Sequence, residues 1–170
     1  MTDRNVTFLI GGARSGKSGH AERLVRRHAA PWAYIATAQA YDEEMRERIA
    51  SHQAQRGEGW ETTDAPFDLV GALDSMADGR PVLVDCLTLW LTNHMLAEHD
   101  LVAECARLER CLARPRGPWF VVSNEVGQGI VPDNELARRF RDAAGRLNQQ
   151  VAGTADSVLL MVAGLPVKVK

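Results

Sequence analysis

Eight consecutive residues, Gly11-Gly12-Ala13-Arg14-Ser15-Gly16-Lys17-Ser18, hold glycine, lysine and a hydroxyl at the spacing G-x-x-x-x-G-K-[ST]. The glycines let the backbone curl until its N–H groups point inward at phosphate oxygens. Lys17 then reaches the β- and γ-phosphates, and the Ser18 hydroxyl becomes a ligand for Mg²⁺. An apolar run, Val6 to Ile10, precedes the loop, and Ser18 to Arg27 reads as a helix whose N-terminal dipole adds to the anion site. The chemistry expected is binding of a nucleoside triphosphate.

Two further residues could act on such a ligand. Val82-Leu83-Val84-Asp85 is an apolar strand ending in an acid, the position from which a carboxylate approaches Mg²⁺ directly or through water. A strand-end Asp that caps the next turn is the plainer alternative. His52 shares a helix face with Met45 and Ile49 at i, i+4 and i+7, which reads as a partly buried structural histidine. Arg48 and Arg56 flank it, however, and a neutral imidazole between phosphate-binding cations is a nucleophile able to attack phosphorus. Spacing leaves both readings open.

Later segments carry weaker signals. Ser123, Asn124 and Glu125 end an apolar run and are followed by Gly127, Gly129 and Pro132, so they face the sheet edge where open α/β folds bind ligands or else close a tight glycine loop. Arg138, Arg139, Arg141, Asp142, Arg146 and Asn148 fall on one helical segment, as a charged surface, a subunit contact or part of a site.

The elements that must position these residues follow from hydrophobic patterning. Apolar, β-rich runs recur at Val6 to Ile10, Ala33 to Ala36, Val82 to Asp85, Trp119 to Ser123 and Val158 to Ala163, with helical patterns between most of them. That alternation is the mark of an α/β parallel sheet covered by helices, and the continuous rather than alternating hydrophobicity suits strands buried on both faces. Gly164-Leu165-Pro166 reads as a turn leading into a short antiparallel strand, Val167 to Lys170. A charged helix is expected from Asp42 to Ser51, with Asp42–Arg46 and Glu44–Arg48 pairs on a solvated face.

Composition bounds the rest. The 170 residues suffice for one domain, 1–170, with a core of its own. A net charge of −2 disfavours nonspecific nucleic-acid binding. Cys86, Cys105 and Cys111 form no CxxC pair, and no apolar stretch is long enough to span a membrane, so a reducing, cytoplasmic setting is expected.

With these pieces in order the chain resembles the bifunctional adenosylcobinamide kinase and adenosylcobinamide-phosphate guanylyltransferase family of cobalamin synthesis. The resemblance runs through residues 11 to 18, Tyr34-Ile35-Ala36-Thr37, Asp42-Glu43-Glu44-Met45 with Arg48-Ile49, His52, Trp60 with Thr62, Asp85-Cys86-Leu87-Thr88, Ser123 to Pro132, Gly145-Arg146-Leu147-Asn148-Gln149, and Gly164 to Lys168. It implies a P-loop NTPase of RecA-like fold, a homotrimer, and two reactions. ATP or GTP phosphorylates adenosylcobinamide; GTP then guanylylates an enzyme histidine, and GMP passes to adenosylcobinamide-phosphate. Carried over by position, the histidine is His52, assisted by Lys17. Nucleotide contacts are implied at Gly11 to Ser18, at Ala36, Thr37 and Ala38, at Gln53, Ala54, Gln55 and Arg56, and at Asp64 and Asp85, with Mg²⁺ at Ser18 and Asp85. Ser51-His52 stands where some relatives have two histidines, Asp64 where a glutamate is expected, and Gln53 where a base is frequent. Two other functions fit the loop alone: a single-function small-molecule kinase with a structural His52, and a nucleotide-dependent binding module.

Overall fold

The computed structural model describes residues 4–39 and 57–170, together with Glu43, Arg46 and Glu47. Seven strands, β1 (Asn5–Gly11), β2 (Trp32–Ala36), β3 (Trp60–Asp64), β4 (Val82–Asp85), β5 (Pro118–Asn124), β6 (Ser157–Val162) and β7 (Leu165–Lys168), form one sheet in the order β3-β2-β4-β5-β1-β6-β7. Every pairing is parallel except that of β6 with β7. Five helices are described in full: α1 (Lys17–Val25), α2 (Leu69–Asp74), α3 (Leu87–Leu96), α4 (Leu101–Leu112) and α5 (Glu135–Thr154).

Burial on both faces explains the continuous apolar runs. Val6, Phe8, Ile35, Val84, Trp119 and Val121 belong to the larger core, closed by residues of α2 to α5. Leu9, Tyr34, Leu83, Phe120 and Val122 point to the opposite face and pack with Ala21 and Val25 of α1. Three helices open on side-chain caps: Asp68 accepts from the Gly71 N–H, Asp100 from Ala103 and Asn134 from Ala137. No side chain caps α1, whose preceding residue, Gly16, is left-handed at φ 93°. Its first N–H groups therefore have no side-chain acceptor of that kind, which suits an anion.

Three expectations change. The strand β3 was absent from the apolar runs because Glu61, Thr62, Thr63 and Asp64 are polar and exposed at a sheet edge. Leu165 and Pro166 lie in β7 rather than in the turn, which is Ala163-Gly164, and α1 begins at Lys17 rather than Ser18. Most of the expected 42–51 helix lies outside the described residues. Glu43, Arg46 and Glu47 are helical, and Arg46 meets Glu43 at 3.2 Å, both exposed.

Candidate active site

The strand β1 delivers the phosphate loop to the carboxyl edge of the sheet between β5 and β6. Neighbours on both sides hold it there. The Glu125 N–H donates to the Gly11 carbonyl at 2.9 Å, and the Gly164 N–H, in the β6–β7 turn, donates to the Ser15 carbonyl at 2.9 Å. A Cβ on Gly16 would stand 3.0 Å from the Gly164 Cα, so the loop and that turn approach as backbones. Gly12, Ala13, Arg14 and Gly16 remain exposed, giving the loop an open mouth.

Lys17 is buried, and its Nζ donates to the Gly12 carbonyl at 2.5 Å and to the Ser15 Oγ at 3.4 Å. Burial lowers its pKa, and the negative field of Asp85 opposes that shift. The ammonium thus sits folded across the loop, where triphosphate oxygens would supply better acceptors. Ser18 follows in the first turn of α1.

Register assembles the acids. Asp64 pairs with Ala36 across β3–β2, and Ala36 with Asp85 across β2–β4, so the three occupy one row at the carboxyl edge. Asp85 Oδ2 accepts a 2.9 Å hydrogen bond from the Tyr34 hydroxyl. Thr37 is fully buried; its hydroxyl donates to the Cys86 carbonyl at 2.6 Å and accepts from the Cys86 N–H at 2.9 Å. In this conformation Thr37 staples the ends of β2 and β4, while Asn93 Nδ2 donates to the carbonyls of Thr37 and Pro66. Desolvation first, then Asp85, pushes the Cys86 thiol up to about 11, so it is no nucleophile at neutral pH.

The Ser123 to Pro132 loop leaves the same edge. The Asn124 N–H donates to Thr88 Oγ1 at 2.8 Å, Asn148 of α5 reaches the Asn124 carbonyl at 3.2 Å, and the Glu125 carboxylate accepts from the Gly127 N–H. Arg138 is spent on the Pro132 and Asp133 carbonyls and Arg141 on Asp142. His52 and Gln53 to Arg56 lie outside the described residues. No group of three or more His, Cys, Asp or Glu side chains able to hold a metal occurs among the described residues. A surface cavity of about 400 Å³ opens beside His99, Leu136 and Arg139 and includes no phosphate-loop residue. Tyr34, Thr88 and Gly164 are the contacts that residue-by-residue reading missed; only their place in motif-like segments hinted at them.

The family model for cobinamide kinase / cobinamide phosphate guanyltransferase matches residues 7–169. The chain belongs to this family of enzymes. Among similar members, the bifunctional adenosylcobalamin biosynthesis protein CobP of Pseudomonas aeruginosa is 48% identical over 166 residues, 96% of either chain. The CobU proteins of Salmonella typhimurium and Escherichia coli are 41% and 40% identical, each alignment covering 97% of this chain and 99% of the relative. Solved structures extend the likeness in fold alone. The RadB recombinase superposes at a TM-score of 0.56 with 17% identity, over 94% of this chain and 74% of that one. An ATPase of a type III secretion system gives 0.53 with 13% identity, over 96% and 56%. The fold is thus the RecA-like P-loop arrangement with an antiparallel hairpin at β6–β7.

Proposed function

We propose that this chain carries out two successive transfers in cobalamin biosynthesis. In the first, the hydroxyl oxygen of adenosylcobinamide attacks the γ-phosphorus of ATP or GTP, the bond to the β–γ bridging oxygen breaks, and the hydroxyl proton is released. In the second, a ring nitrogen of His52 attacks the α-phosphorus of GTP, a P–N bond forms, and the α–β bridging bond breaks with its electrons leaving on pyrophosphate. A phosphate oxygen of adenosylcobinamide-phosphate then attacks that phosphorus, the P–N bond breaks, and adenosylcobinamide-GDP departs.

The observation that carries this reading is the family match along 7–169, on a chain whose phosphate loop stands complete. Lys17 and the loop N–H groups neutralise the triphosphate and hold it in line, with Ala36, Thr37, Ala38 and Asp64 along the same edge and Gln53 to Arg56 following the nucleophile. Ser18 and Asp85 offer the hydroxyl and carboxylate oxygens that Mg²⁺ prefers, beside a ligand supplying more, so the donor set fits. Bound there, the ion would supply charge neutralisation between phosphate oxygens. We assign the working form to a cytoplasmic homotrimer.

Substituting His52→Ala tests the division of labour. With α-labelled GTP the parent chain retains acid-labile label and the variant none, while the variant keeps most of its γ-phosphoryl transfer to adenosylcobinamide. A variant that still labels would remove His52 from the mechanism. A parent that never labels would favour a kinase alone.

A further inference from the structure

The aromatic side chains beside Asp85 form a column that packing alone does not explain. Tyr34 is 6% exposed and meets Trp60 edge-on, with ring centroids 6.1 Å apart. Trp60 in turn leans on Trp32 at 5.4 Å, and the Trp32 indole N–H is anchored on the His28 carbonyl at 2.9 Å. The column starts just past α1, crosses β2 and β3, and ends in a phenol bound to the Asp85 carboxylate. A phenylalanine would fill the same volume. The hydroxyl adds a 2.9 Å hydrogen bond to Oδ2, from a ring packed against Trp60.

We propose that Tyr34 is a positioning residue for Asp85, fixing the rotation of its carboxylate so that Oδ1 is the oxygen presented to the cation of a bound nucleotide. A carboxylate at a strand end otherwise turns freely about its last torsion, and each misdirected rotamer costs cation affinity without touching the phosphates. The bond runs from a neutral hydroxyl to a carboxylate and is part-buried, a setting in which one hydrogen bond can orient a group. The field of Asp85 also opposes the desolvation of Lys17, so its placement bears on the loop lysine as well. The inference rests on the reading that Asp85 faces the cation.

The test uses the full chain, Tyr34→Phe and Asp85→Asn, singly and together. Binding of a fluorescent GTP analogue is titrated with Mg²⁺ and, separately, measured in EDTA; Mn²⁺ binding is followed by water-proton relaxation. Tyr34→Phe is expected to raise the Mg²⁺ midpoint about tenfold and to weaken Mn²⁺ to match, leaving binding in EDTA unchanged. Added to Asp85→Asn it should shift nothing further. An unchanged midpoint in Tyr34→Phe, with Asp85→Asn shifted, overturns the role of Tyr34 alone. Equal weakening with and without Mg²⁺ also overturns it, because that marks a general loosening of the fold. An unchanged midpoint in Asp85→Asn overturns the assignment of Asp85 itself.

Discussion

His94 and His99 show how far one hydrogen bond constrains another. His94 Nε2 lies 3.1 Å from the Phe67 carbonyl, which only accepts, so that nitrogen carries the proton. In neutral His94 the Nδ1 is then bare and takes the Nδ1–H of His99 at 2.9 Å. The ring is buried against Trp90 and Phe67, with His99, Glu104 and Arg107 as its charged or titratable neighbours. Burial is the first cause of its lowered pKa. The unfolded chain therefore takes up a proton at a higher pH than the folded one, and stability falls as pH drops below the ordinary histidine value. Urea midpoints compared at about pH 7.5 and about pH 5.5 should drop for the parent and drop less for His94→Asn. Equal drops would mean that His94 contributes nothing to acid sensitivity. Lys17 obeys the same rule with an opposite use: burial lowers its pKa, and the negative charge of a bound triphosphate would oppose that shift.

At the scale of elements, the phosphate loop depends on a hairpin almost at the other end of the sequence. Gly16 combines a φ of 93° with a 3.0 Å approach to the Gly164 backbone. Gly16→Ala should cost about 1–2 kcal/mol for the left-handed conformation alone. It should also weaken nucleotide binding by displacing the loop, read as a lower Tm and a raised Kd for GTP; a variant matching the parent in both would show that the contact yields freely. This dependence was only half legible in the sequence. The loop, its strand and its helix announced themselves by residue type and period, and so did β4 and β5, whose apolar runs reflect burial on both faces. The hairpin was visible as a turn, but its hydrogen bond to Ser15 joins residues some 150 positions apart, which no local pattern encodes. The strand β3 left no apolar trace, being a polar edge strand, and the row Asp64-Ala36-Asp85 exists only through register. Tyr34 looked like core, because its ring is core and only its oxygen is not.

For the whole molecule, one sheet edge carries the phosphate loop after β1 and the carboxyl ends of β2, β3, β4 and β5. In the proposed mechanism the cradle need not change between reactions: an acceptor hydroxyl would attack the γ-phosphorus and His52 the α-phosphorus. Among the described residues no helix is long and apolar enough to cross a membrane. On the proposed reading, one site breaks the triphosphate chain at two places. GTP labelled at the α- or the γ-phosphate, incubated with the parent chain or with Lys17→Met in the presence of adenosylcobinamide, tests it most directly. The expected result is γ-label on the corrinoid, α-label first on the protein and then on the corrinoid with pyrophosphate released, and loss of both labels together in Lys17→Met. Transfer of γ-label with no pyrophosphate formed, or α-label persisting in Lys17→Met, would contradict it.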